Sequence, residues 1–242
     1  MYAHRTSTGP VDLAFTDRYG GVSAVPFDSL NLALVGDDDP EARGRNLELL
    51  LEDFAPGAEL ADMDQVHGSR VVEVGVRAGR ERCDALVTDR PEVVLMVRVA
   101  DCVPVLLADP TAGVIGAAHA GRNGMRGGVV TRCVERMQAL GAGDVTAWVG
   151  PHICGACYEV PADLQAEVAA VEPLTAGRTS WGTPSLDIGA GVTAQLERLG
   201  VHVVQVAGCT LESPDLYSHR RDASSAGRFA GVIVRHDGED HG

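Results

Sequence analysis

Lysine is absent from this 242-residue chain, and all twenty of its basic residues are arginines. That absence excludes Schiff-base chemistry, lysine general bases and the lysine of a phosphate-binding P-loop, so any anion must be held by arginine, metal or backbone. Long apolar runs are also missing. The longest, residues 93–97 and 103–108, are cut off by Arg98 and Asp101 and fall far short of a membrane-spanning helix. The N-terminal segment shows no apolar stretch of signal-peptide length, which predicts a cytoplasmic protein. Positive charge is scarce overall. A formal net charge of −14 repels phosphate backbones and anionic lipids and argues against nucleic acid and membrane partners. No G-x-G-x-x-G opens a helix, and Gly36-Asp37-Asp38-Asp39 would set acid where a pyrophosphate should sit, which excludes a nucleotide cofactor. Repeats, low-complexity tracts and linker-like segments are lacking as well, so residues 1–242 read as one domain with a core at about 12–236.

What the chain does have is a composition 45% hydrophobic, enough to bury a substantial core, and six cysteines spread too widely for a disulfide framework. Short β-rich runs at 70–74, 85–88, 93–99, 103–108 and 114–118 are punctuated by Gly, Pro and Asp and read as strands. They follow one another too closely for helical crossovers, which predicts antiparallel or meandering pairing rather than a Rossmann sheet. Residues 125–140 carry apolar side chains at helical spacing. Further helices are expected at 162–171 and 188–199, with strands at 146–149, 201–206 and 229–234, and the charge-rich ends are expected to fray. The fold class is mixed α/β (α+β).

Three segments each set a soft metal ligand beside a turn: Asp64-Gln65-Val66-His67-Gly68, Ala100-Asp101-Cys102-Val103-Pro104 and Ala117-Ala118-His119-Ala120-Gly121. Two imidazoles and one thiolate suit zinc, and three protein ligands leave a fourth position for water or substrate, as catalytic sites do. Taken singly, a Cys is more often a small buried hydrophobe and a His a hydrogen-bonded loop residue. Cys154-Gly155-Ala156-Cys157 is a weaker signal, because C-x-x-C serves redox or metal chemistry but has no second C-x-x-C to partner it. It reads as a structural loop.

The sequence resembles the YfiH-type laccase-domain proteins, also called polyphenol-oxidoreductase-like or peptidoglycan-editing-factor-like. The segments that carry the resemblance include Arg18-Tyr19-Gly20-Gly21-Val22-Ser23, Ser29-Leu30-Asn31-Leu32, Gln65-Val66-His67-Gly68, Asp84-Ala85-Leu86-Val87-Thr88, Ala100-Asp101-Cys102-Val103-Pro104, His119-Ala120-Gly121, Tyr158-Glu159-Val160 and Arg220-Arg221-Asp222. It implies an α/β/β/α layered fold with mixed sheets, shared with deamidating cytotoxic-necrotizing-factor toxins. It also implies zinc held by His67, Cys102 and His119, and purine nucleoside phosphorylase activity accompanied by adenosine deamination. The expected ligands are then a purine nucleoside and phosphate, on a monomer or homodimer. Phosphate would need an arginine clamp, for which Arg18, Arg45, Arg122 and Arg221 are candidates, with Arg18 and Arg221 first. Asn31 and Asp84 are candidates for ribose hydroxyls or for supporting the metal ligands, against plain roles as turn residues. The chain departs from the family at Arg122-Asn123-Gly124, where Trp-Arg-Gly is usual.

Other readings use the same residues. A multicopper laccase needs many histidines in close pairs, and eight histidines without an H-x-H pair speak against it. The H-x-E and P-C-x-x-C of cytidine deaminases are not matched, since Ala120-Gly121 follows His119 and Ile153 precedes Cys154. A cysteine hydrolase with Cys102 as nucleophile and His119 or His67 as base remains open, as does a catalytically silent metal-binding module.

Overall fold

The computed structural model describes residues 1–237, so the C-terminal end expected to fray, residues 238–242, lies outside the described residues. In chain order the elements are β1 (Tyr2–Thr8), β2 (Val11–Thr16), α1 (Pro40–Phe54), β3 (Glu59–Met63), β4 (Val71–Glu73), β5 (Arg80–Glu81), β6 (Ala85–Thr88) and β7 (Val93–Val99). Then come β8 (Val103–Asp109), β9 (Val114–Ala120), α2 (Arg122–Arg126), α3 (Val129–Ala139), β10 (Thr146–Val149) and α4 (Ala162–Ala169). The chain continues through β11 (Ala176–Arg178), β12 (Pro184–Leu186), α5 (Ile188–Glu197), β13 (His202–Gln205), α6 (His219–Asp222) and β14 (Phe229–Arg235).

Two six-stranded sheets form the centre, ordered β1-β2-β14-β7-β3-β5 and β13-β10-β8-β9-β6-β4. Strand periodicity explains why the central strands are apolar without alternation. On β7, Val93, Leu95, Val97 and Val99 face the second sheet, while Val94 and Met96 turn outward onto Leu50 and Phe54 of α1. On β8, Leu106 and Ala108 enter the inter-sheet layer, and Val103, Val105 and Leu107 pack outward with Val130, Cys133 and Val134 of α3. Both faces of each sheet are therefore covered, giving four layers, α/β/β/α. Burying each large aliphatic side chain in these layers contributes about 1.5–3 kcal/mol.

The strands expected between 70 and 118 do not form one meander. β6 pairs antiparallel with β9, and β9 with β8, but β7 lies in the other sheet, parallel to β3 and antiparallel to β14. The chain thus crosses between sheets at the β7–β8 connection. The N-terminus does not fray, because β1 and β2 form an antiparallel hairpin on the edge of the first sheet. The expected helix at 125–140 is two helices, broken at Gly127-Gly128, where Gly128 takes a left-handed φ of 71°. α1 was not anticipated. It starts at Asp39, whose side chain accepts from the Glu41 amide, with Pro40 next. Its buried Asn46 donates to Ser23 Oγ, Ser29 O and Asn31 O and accepts from the Val22 amide, tying the long loop after β2 to the helix.

Candidate functional site

His67, Cys102 and His119 come from two connections and a strand end and meet at one point. His67 follows β3, Cys102 sits where the chain passes from β7 to β8, and His119 lies near the end of β9. Their ligand atoms all lie within 4.8 Å of one another, with Cys102 Sγ 3.9 Å from His67 Nε2. The two imidazoles stand edge to face at a centroid distance of 4.8 Å. His119 is buried, Cys102 half-buried and His67 exposed, so the cluster is anchored on one side and open on the other.

Asp84, fully buried at the start of β6, organises the cluster. Its Oδ1 lies 2.9 Å from His119 Nδ1 and accepts the His67 amide at 2.9 Å, while Oδ2 accepts the Gly68 amide at 2.7 Å. With Nδ1 engaged by the carboxylate, His119 offers Nε2 as its ligating atom. The same carboxylate holds His67 in a left-handed conformation, φ 58°, that costs a non-glycine residue about 1–2 kcal/mol. Asp101, at φ 86°, is fixed in a comparable way: Oδ1 accepts the Thr210 hydroxyl at 2.6 Å, Oδ2 the Arg220 amide at 2.6 Å, and its backbone oxygen the Ile153 amide at 3.0 Å.

Gly121 supplies clearance. A Cβ there would lie 2.9 Å from His67 Cδ2 and 3.1 Å from Cys102 Sγ. A bare backbone beside two imidazoles and a thiol, with one side left open, fits a metal ion of borderline softness.

Charge coupling is strong within the cluster of the metal-free chain. Burial opposes ionisation of Cys102, but His119 and His67 outweigh it and bring the thiol down to about 6. Burial likewise disfavours the His119 cation, and is overcome by Asp84 and Cys102, which raise it to about 9. Asp84 is held below the usual carboxylate range, burial being outweighed by its hydrogen bonds from His119 and the Gly68 amide.

The cluster opens onto a cavity of about 810 Å³ whose lining includes Asn31, Arg80, Arg98, Arg122, Tyr158, Arg220 and Arg228. Of the arginines singled out in the sequence, only Arg122 reaches it, with its Nε buried and unpartnered. Arg18 is a loop clamp instead: its Nε donates to Asp28 O at 2.7 Å and its guanidinium lies 4.8 Å from the Tyr217 ring centroid. Arg221 donates to the Thr210, Ser213 and Leu216 carbonyls and pairs with Asp222. Arg45 is exposed on α1 and pairs with Glu48 and Glu52. Asn31 lines the cavity with its amide already engaged, donating to Asp38 and accepting the Ala33 and Arg228 amides. Asp84 is outside the cavity lining, behind His67 and His119.

Sequence reasoning missed Arg98, Arg220 and Arg228. Arg98 had a visible signal, a charge inside a seven-residue strand that is otherwise apolar. Its guanidinium is buried, with Nε donating to Leu32 O at 2.6 Å and Nη1 2.9 Å from Asp62. Asp62 also binds Arg80 at 2.8 Å, so two guanidinium groups share one carboxylate at a cavity that Asp37, Asp38, Asp64 and Asp101 line as well.

Fold and site together define a four-layer α/β protein with a His2Cys cluster able to hold a metal ion and opening onto an arginine-bearing cavity. The chain belongs to the family described as multi-copper polyphenol oxidoreductase laccase, which it matches over residues 12–236. It is 49% identical over 240 residues to a protein of Streptomyces coelicolor named purine nucleoside phosphorylase, covering 96% of this chain and 99% of that relative. Among solved structures, Neisseria meningitidis protein NMB0706 superimposes with a TM-score of 0.85 at 31% identity, covering 98% of this chain and 99% of that one. A Bacillus licheniformis protein named YfiH gives a TM-score of 0.83 at 27% identity, covering 93% and 92%. The YfiH-type resemblance and the layered fold expected from it are thereby confirmed.

Proposed function

We propose that this chain is a zinc-dependent purine nucleoside phosphorylase. It splits adenosine, inosine, guanosine or methylthioadenosine with phosphate into free base and ribose 1-phosphate, and deaminates adenosine as a second reaction. The observation that carries this reading is the single cavity shared by the His67/Cys102/His119 cluster and the arginines, of a size that suits a nucleoside with phosphate. The relative named purine nucleoside phosphorylase supports it.

Held by His67, Cys102 and His119, zinc would supply Lewis-acid charge beside the substrate for both reactions. The donor set also occurs in mononuclear copper centres, but the open side toward a cavity favours zinc in a catalytic role. Among the described residues the other group of ligand-type side chains contains no histidine, which does not suit a multicopper oxidase.

The chain's own residues position the reactants. Arg122, whose Nε has no partner, donates to phosphate, and the Arg80–Asp62–Arg98 wall adds positive potential. A phosphate oxygen bonds to ribose C1′ as the C1′–N9 bond breaks, and the base leaves with that electron pair and takes up a proton. Tyr158, with Arg220 5.0 Å from its ring centroid, offers a flat aromatic surface for the base, in a chain that has Arg122 where the family usually has Trp. The reaction is cytoplasmic and involves neither nucleic acid nor membrane; no described helix is long and apolar enough to cross one. The test is phosphate dependence: release of hypoxanthine from inosine must require phosphate and yield ribose 1-phosphate.

One observation favours a second reading. In the metal-free chain Cys102, His119 and Asp84 form a Cys-His-Asp relay, the arrangement of a cysteine hydrolase such as a peptidoglycan-editing enzyme. Retention of hydrolytic activity after zinc removal would support it.

A further inference from the structure

Away from the cavity cluster, Cys154, Cys157, Cys209 and Glu212 bring three thiols and a carboxylate together, with all their ligand atoms within 4.8 Å of one another. The topology produces this meeting. β10 and β13 are parallel neighbours, so both strands release their following segments at the same end of the sheet, and an isolated parallel bridge between His152 and Cys209 prolongs the pairing. Each segment then contributes two ligand residues three apart, Cys154-x-x-Cys157 and Cys209-x-x-Glu212. That spacing lets one turn aim two side chains at one point, and two such turns make a four-ligand set.

Packing alone does not account for the cluster. Cys83 and Cys133 show what a packed cysteine looks like here, each buried singly in an apolar layer. At the second site the sulfurs converge instead. The Cys154 amide approaches Cys209 Sγ at 3.4 Å, and the Cys157 thiol donates to Glu212 Oε1 at 3.5 Å. The sequence reading of Cys154 and Cys157 as a plain loop lacked the two partners that the fold delivers from 55 residues away.

We propose that Cys154, Cys157, Cys209 and Glu212 form a second, structural zinc site. Three soft thiolates select zinc, copper(I) or iron–sulfur chemistry, and the hard carboxylate as the fourth donor favours zinc among them. Four protein ligands complete a tetrahedral shell and leave no open position, which suits a structural rather than a catalytic ion. Binding exchanges three thiol protons for one divalent ion, the protons leaving to solvent while Glu212 binds as carboxylate. The ion cross-links the segment after β10 to the segment after β13. Ile153 and Thr210, each next to a ligand, both bond Asp101, the residue before Cys102. The second site therefore braces the wall on which the first is built, independently of which reaction occurs there.

The test is zinc content per chain, by elemental analysis of protein purified from zinc-supplemented medium. The intact protein is expected to hold two zinc ions per chain, Cys154→Ser/Cys209→Ser one, and His67→Ala one. A single ion in the intact protein that His67→Ala abolishes overturns the proposal. Because the double variant removes a brace and can fail to fold, a second measurement uses the intact protein. Iodoacetamide labelling with peptide mass mapping should find Cys154 and Cys209 protected until a chelator is added. Equal labelling with and without chelator, or a disulfide between any two of the three cysteines, overturns it.

Discussion

The carboxylate of Asp84 lies 2.9 Å from His119 Nδ1 while also accepting the His67 amide, so one buried side chain sets the ring of one member of the His67/Cys102/His119 cluster and the backbone of another. Asp84 lies outside the cavity lining, and under the proposed function that coupling makes it a positioning residue. Asp84→Asn keeps the shape and removes the charge. Zinc affinity, read by competition with a chromophoric chelator, should fall on the order of ten- to hundredfold, with kcat/KM falling in parallel and KM for phosphate little changed. Unchanged affinity would mean that the carboxylate is only a loop tie.

Gly121→Ala tests the clearance beside the ligands. The added methyl would press on His67 and Cys102 at 2.9 and 3.1 Å, while a φ of −74° poses no backbone obstacle. Loss of zinc with retained far-ultraviolet circular dichroism is the expected result. Full zinc occupancy would show that the two ligands can shift without cost.

Arg122 and Arg221 separate a phosphate clamp from a loop clamp. Arg122→Ala should raise KM for phosphate at least about tenfold, the effect of one lost hydrogen bond to a charged group, with the melting temperature nearly unchanged. Arg221→Ala leaves the Thr210, Ser213 and Leu216 carbonyls, among others, without this donor and should cost about 1–2 kcal/mol of stability with KM for phosphate unaffected. Steady-state kinetics and thermal melts on both variants check the pair, and reversed outcomes would return Arg221 to the site.

Cys102 in chelator-treated protein should react as a thiolate at low pH. The flanking imidazoles set its midpoint at about 6, so the thiolate fraction rises with pH through that value and is nearly complete at neutrality. Alkylation mapped to Cys102 should be half-maximal near pH 6, against about 8.5 for an ordinary thiol. Asp84→Asn weakens the His119 cation and should move that midpoint upward. Zinc should suppress the reaction throughout.

The sequence made the meeting of His67, Cys102 and His119 legible because each stands beside a turn, and made the central strands legible because both of their faces are apolar. It hid the sheet assignment: β6 and β7 look like neighbours in a meander, yet their partners lie in different sheets, a choice made by packing across the layers. α1 was obscured because its inward side is only Asn46, Leu50 and Phe54, one of them polar. Of the four arginines named from sequence only Arg122 lines the cavity, since twenty identical side chains carry no local mark of which ones enter it. Arg18 and Arg221 donate to loop carbonyls outside it. Arg98 was the exception, a charge in an apolar strand and therefore a paired, buried group. Cys209 and Glu212 could not be joined to Cys154 and Cys157 before the parallel β10–β13 pairing was known.

The most direct measurement incubates zinc-loaded protein with inosine and with adenosine, with and without phosphate, and resolves bases, nucleosides and ribose 1-phosphate by chromatography, with His67→Ala in parallel. The expected result is phosphate-dependent release of base with stoichiometric ribose 1-phosphate, lost in the variant. Product formation equal to that of the variant, or base release indifferent to phosphate, would contradict the phosphorylase assignment.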